Sequence, residues 1–125
     1  MLTLVIPVRD WPGERIEFCI ESFLGLSSRT LDEIIVVDFG SAEPVHLDGR
    51  FGTQVRLVRV EAKVWSLAEA INAGVLSAKN DLIAKTDADI LISPESRNAF
   101  DETVMRLAAG DFGLAVSQAT DLDNA

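Results

Sequence analysis

Asp81-Leu-Ile-Ala-Lys-Thr-Asp-Ala-Asp-Ile-Leu-Ile92 joins a short apolar run to an acidic triplet. Asp81 to Thr86 reads as a buried strand, with Asp87-Ala88-Asp89 at its carboxyl end. Carboxylates at i and i+2 on extended backbone point to the same side. Like charges held that close are costly unless a cation sits between them. Hard divalent ions take such oxygen ligands, and Mg²⁺ commonly uses one or two carboxylates plus substrate phosphates. The stretch therefore sets two expectations, a strand ending at a cleft and a divalent cation that carries a phosphorylated ligand. Plain surface turns also contain Asp-x-Asp, so the surrounding chain has to decide.

Upstream, apolar runs alternate with helical patterns. Leu2 to Val8 reads as a buried strand that ends at Arg9-Asp10. Ile16, Cys19, Ile20, Phe23 and Leu24 recur at helical spacing and form one core face. Ile34 to Val37 is a second strand, rich in β-branched residues, which stops at the turn Asp38-Phe39-Gly40-Ser41. Residues 42–54 read as loop, and Val55 to Val60 as a third strand. Ser66-Leu-Ala-Glu69 fits a capping box, and the helix behind it is expected to bury Leu67, Ile71, Val75 and Ala78. Ser93-Pro94 opens another helix, with Phe100, Val104, Leu107 and Ala108 as its core face and Gly110 as its stop. Gly113 to Val116 is a candidate fifth strand.

This order implies an α/β fold, a mostly parallel sheet with helices on both faces. Ligands of open parallel sheets bind beyond the carboxyl ends of the strands. Three such ends carry polar residues here: Arg9-Asp10, Asp38 and Asp87-Ala88-Asp89.

The chain has 125 residues, 48% of them hydrophobic, enough for one domain with one core. No apolar run approaches the ~20 residues of a membrane span, and the amino terminus lacks a secretory pattern. The single cysteine, Cys19, falls on a helical core face. These features set the expectation of a cytoplasmic protein. A net charge of −9 argues against a nucleic-acid binder. An anionic small ligand stays open, because one bound cation can reverse the field inside a cleft. His46 has no partner at metal-ligand spacing, and Trp11 and Trp65 read as packing or loop anchors.

Four segments then occur in a telling order: Val5-Ile-Pro-Val-Arg-Asp10, Glu33-Ile-Ile-Val-Val-Asp-Phe-Gly-Ser41, Ala70-Ile-Asn-Ala-Gly74 and Lys85-Thr-Asp-Ala-Asp-Ile90. Together they resemble the nucleotide-binding half of a family 2 glycosyltransferase with the GT-A fold, a Rossmann-like half-domain. The resemblance implies a nucleotide-diphosphate-sugar donor and Mn²⁺ or Mg²⁺. It assigns Pro7, Val8, Arg9 and Asp10 to the nucleotide pocket and Asp87 to the ribose. Asp89, with Asp87 beside it, becomes the metal ligand on the pyrophosphate. Asn72 and Gly74 are placed beside the donor, and Asp38 at the base.

Two positions depart from the family pattern. Phe39 stands where a second acid, which reads uracil in several relatives, is usual. Asp38 takes over that contact, or Phe39 offers a stacking surface, or the base is not uracil. Ile71 stands where an Arg is common, so that a phosphate or ribose contact is missing or is supplied by Lys85 or Arg9. Residues 1–125 then form the donor-binding portion of a longer domain, with the acceptor half, catalytic base and acceptor outside it. That portion alone is expected to bind a nucleotide diphosphate weakly without transferring sugar, and to self-associate or be unstable because of an unpaired sheet edge. The competing readings are a non-catalytic nucleotide- or metal-binding module and a receiver-like signalling domain. No dinucleotide or P-loop glycine pattern is present.

Overall fold

The computed structural model describes residues 1–27, 29–111, 113–116 and 118–120. Among them, four strands form one parallel sheet: β1 (Leu2–Val8), β2 (Leu31–Phe39), β3 (Val55–Val60) and β4 (Leu82–Lys85). Their order is β3-β2-β1-β4. Three α-helices accompany them: α1 (Gly13–Leu24), α2 (Leu67–Ser77) and α3 (Pro94–Ala108).

β1 and β2 are central, apolar along nearly their whole length and buried on both faces, as a covered parallel sheet requires. One face packs Leu2, Leu4, Ile6, Val8, Ile34 and Val36 against Ile16, Cys19, Ile20 and Phe23 of α1 and Val104 of α3. The other packs Val5, Ile35, Val37 and Phe39 against Ala70 of α2. Each fully buried Val, Leu or Ile contributes roughly 1.5–3 kcal/mol.

The chain walks β1, β2, β3 in one direction, then crosses back to place β4 on the other side of β1. Right-handed crossovers in opposite directions put their helices on opposite faces, which is where α1 and α2 lie. The reversal makes a switch point between β1 and β4, and a crevice opens there at the carboxyl ends of both strands.

Four expectations need correction. Gly113 to Val116 forms no strand, and Leu114 and Val116 are exposed rather than paired. The 42–54 loop contains a 3₁₀ segment, Gly49–Gln54, whose cap Asp48 accepts from the Arg50 N–H. In α2, Leu67 and Val75 are exposed, while Ala70 and Gly74 face the sheet. The cause is spacing: a Cβ on Gly74 would lie 2.4 Å from Val5 Cγ1. Only small residues fit where that helix touches, so its larger apolar residues turn outward. In α3, Val104 is buried while Ala108 is exposed.

Candidate functional site

The crevice between β1 and β4 is a cleft of about 460 Å³. Pro7, Val8, Arg9, Asp10 and Trp11 line it from the β1 exit, Asp87, Ala88 and Asp89 from the β4 exit, and Trp65 and Leu67 from the start of α2. Six of the residues singled out in the sequence therefore meet here: Pro7, Val8, Arg9, Asp10, Asp87 and Asp89.

The Asp-x-Asp segment is a turn rather than extended backbone, closed by the Ile90 N–H donating to the Asp87 carbonyl at 3.2 Å. Both carboxylates nevertheless reach the cleft, because the residue between them is anchored. Ala88 is only 5% exposed and belongs to the same core as α1. From β4, Lys85 donates to Asp87 Oδ1 in an exposed ion pair. Asp89 has no hydrogen-bond or ion-pair partner among the described residues. The Cys19 thiol lies under the turn, 3.7 Å from the Asp87 carbonyl. Burial, reinforced by the charges of Asp89 and Asp87, pushes its pKa up to about 12. It is thus a neutral packing thiol.

Asp10 holds the opposite rim. Its φ of 57° is a left-handed conformation that Asp tolerates better than most residues. Its N–H donates to Ser41 Oγ at 2.9 Å, and its Oδ1 accepts from the Ala42 N–H at 2.8 Å. The exits of β1 and β2 are thereby stapled together. Arg9 crosses to the β3–α2 connection, donating from Nη2 to the Lys63 carbonyl at 2.9 Å. Its Nη1 is buried without a hydrogen-bond partner among the described residues.

Asp38, Asn72, Gly74 and Lys85 do not line the cleft, Lys85 reaching it only through Asp87. Asp38 is fully buried; it accepts from the Ser41 N–H at 3.2 Å, the Val45 N–H at 2.8 Å and Arg59 Nη1 at 3.0 Å. Burial alone would raise its pKa, but the hydrogen bonds from Ser41, Val45 and Arg59 win and hold it below the usual carboxylate range. Asn72 is exposed on α2, and Gly74 sits against Val5 and Val37. Trp11, Trp65, Leu67 and Ala88 line the cleft without having been singled out for it. Their signal is tertiary: Trp65 meets the buried Phe39 ring edge-on, with centroids 5.9 Å apart.

The profile of the family described as Glycosyl transferase family 2 matches residues 3–111. The chain belongs to glycosyl transferase family 2. Among solved structures, this family 2 chain is similar to S. aureus TarS 1-349, at TM-score 0.66 and 14% identity over 94% of this chain and 38% of that one. It is also similar to TarS 1-349 in complex with UDP-GlcNAc, at TM-score 0.65 and 13% identity over 94% and 37% of the two chains. The complex of TarS 1-349 with UDP aligns at TM-score 0.66, 14% identity, and 94% and 38% coverage. The chain thus spans well under half the length of these structures, and at such identity they establish the fold. No curated protein sequence matches it significantly.

The family implies a divalent cation, and the donor set suits one. Asp89 is an unpartnered hard oxygen donor, and Asp87 beside it is held only by an exposed lysine. Among the described residues, no group of three or more His, Cys, Asp or Glu could hold a metal by itself. A cation here would therefore take most of its ligands from phosphate and water, the usual habit of Mg²⁺. No helix among the described residues is long and apolar enough to cross a membrane.

Proposed function

We propose that this chain is the donor-binding part of a metal-dependent glycosyltransferase that passes a sugar from a nucleotide-diphosphate-sugar to an acceptor. The observation that carries this reading is the cleft at the switch point between β1 and β4. Two carboxylates face solvent there on either side of a buried alanine. The likeness to TarS 1-349 in complex with UDP-GlcNAc supports it.

Asp89 and Asp87 are the residues to hold Mn²⁺ or Mg²⁺, with Lys85 orienting Asp87. When bound, such an ion offsets negative charge on a diphosphate leaving group. Arg9 brings a second cationic group to the same cleft, and its buried, unpartnered Nη1 is a donor suited to a phosphate or ribose oxygen. Pro7, Val8 and Asp10 form the wall on which the nucleotide rests. Asp38 and Gly74 act at one remove, Asp38 by fixing the β2 exit and Gly74 by letting α2 approach the sheet. A cytoplasmic setting belongs to the same reading, since Cys19 is a buried free thiol. So does self-association through the edges of β3 and β4, the outer strands of the sheet.

Calorimetric titration of UDP into the chain, with and without Mn²⁺, tests the proposal. Binding is expected with Mn²⁺ and at least tenfold weaker without it. Absence of nucleotide binding in the presence of Mn²⁺ would overturn it.

A further inference from the structure

Among the described residues, the side chains at the exit of β2, Asp38, Phe39 and Ser41, are buried and offer a nucleobase no free acceptor. Asp38 is fully buried, and its two oxygens already take three hydrogen bonds from the loop and from Arg59. Recruiting it would mean stripping the Ser41 and Val45 N–H groups of their acceptor. Its neighbour Phe39 is 2% exposed and cannot reach the cleft either. What Phe39 does is support Trp65, whose ring plane it meets at 83°.

Trp65 is held from behind by this contact, yet it is 42% exposed and forms part of the cleft wall beside Leu67. A rigid, half-exposed indole next to a cationic and carboxylate floor is a surface for a planar ring attached to a phosphate. Stacking of this kind is tolerant of base identity, because every base has a π-face. Hydrogen-bond readout, by contrast, needs a free polar group aimed at the base edge.

We propose that Trp65, backed by Phe39, is the platform for the donor's nucleobase, and that stacking there, rather than readout by the β2 exit, lets the site accept purine and pyrimidine nucleoside diphosphates alike. This rests on the donor-binding reading above, and it names the feature that holds the base.

The test is calorimetry in Mn²⁺ with UDP, ADP, GDP and inorganic pyrophosphate, on the wild type, Trp65→Ala and Trp65→Leu. The wild type should bind the three nucleotides within about threefold of one another, and each more tightly than pyrophosphate. Both variants should lose about ten- to a hundredfold in nucleotide affinity, the range for one stacking side chain. Both should keep wild-type affinity for pyrophosphate, which has no base and so reports an intact fold and phosphate site. Trp65→Leu retains an apolar side chain against Phe39, so it carries the comparison if Trp65→Ala does not fold.

Wild-type preference for one nucleotide by more than tenfold would overturn the proposal. So would nucleotide affinity unchanged in Trp65→Leu. Either result would leave the donor-binding reading standing. A wild type that binds neither nucleotide nor pyrophosphate would overturn both.

Discussion

Glu33 at the amino end of the sheet and Asp89 at its carboxyl end are treated in opposite ways. At the amino end Glu33, 4% exposed, accepts from Thr3 Oγ1 at 2.8 Å and the Lys79 N–H at 2.9 Å through Oε1. Its Oε2 accepts from Arg56 Nε at 3.2 Å and Nη2 at 3.0 Å. Nearby Asp32 takes Asn80 Nδ2 at 2.7 Å and Lys79 Nζ at 3.1 Å. Those two acids are held by their own chain, whereas Asp81, just before β4, is exposed and has no hydrogen-bond or ion-pair partner among the described residues. At the carboxyl end, Asp89 has no such partner among the described residues, and Asp87 has one exposed lysine. A saturated acid stabilises the fold, while an acid left open is available to something from outside. Asp38 shows that the distinction is not simply one of position, since it lies at the open end and is saturated.

The sharpest way to break this contrast is Glu33→Ala. It leaves the Thr3 hydroxyl, the Lys79 N–H and Arg56 without their acceptor. It should cost about 3 kcal/mol of stability in urea denaturation, with Mn²⁺-dependent nucleotide affinity unchanged in the folded protein. Asp38→Asn comes next, at about 2 kcal/mol of stability, because one loop N–H loses a charged acceptor and Arg59 its counter-charge. If Asp38→Asn instead weakened binding at unchanged stability, Asp38 would belong with the open acids. Asp89→Asn should do the reverse of both, weakening Mn²⁺-dependent nucleotide binding about tenfold, or ~1.4 kcal/mol, with stability within about 0.5 kcal/mol of wild type.

The pH dependence sharpens the contrast further. Burial would raise the pKa of Glu33, but hydrogen bonds from Lys79, Thr3 and Arg56 outweigh it and hold the group below its ordinary value. Asp32 is lowered in the same way, its hydrogen bonds from Lys79 and Asn80 overcoming burial. A carboxyl whose folded pKa lies below its unfolded one binds fewer protons when folded. Its stabilisation is complete above the unfolded value, about 4, and is lost as pH falls through the folded value. Stability should therefore fall below about pH 4, and Glu33→Gln should make that fall shallower. Denaturation series at several pH values would detect it; an unchanged slope would mean that Glu33 is not a saturated acid in solution.

Much of the fold was legible because its signals are local. The apolar run of β1, the partial alternation of β3, the spacing of Ile16, Cys19, Ile20 and Phe23, and the caps Ser66 and Ser93 each lie within a few residues. The β2 strand begins earlier than its β-branched centre suggests, because Glu33 is polar in sequence but neutralised in the fold. The α2 face was misread because periodicity favours large apolar residues, whereas the sheet leaves room only for Ala70 and Gly74. At the site, Arg9, Asp10, Asp87 and Asp89 announced themselves as polar residues ending apolar runs. Trp65 did not, because what gives it a place in the cleft is a ring contact with Phe39 at the end of β2, far away in sequence.

Ala88 ties two properties that proteins often adjust separately. Because it is seated in the core over α1, the carboxylates on either side are positioned by packing, before any ligand arrives. The turn should consequently need little rearrangement on binding, which spares the ordering cost of a flexible loop. The same seat also transmits damage. A substitution beneath it at Cys19, with no contact to a ligand, would tilt the turn and be felt as a change in affinity, so the helix behind the sheet acts as a remote tuning element for the cleft in front of it.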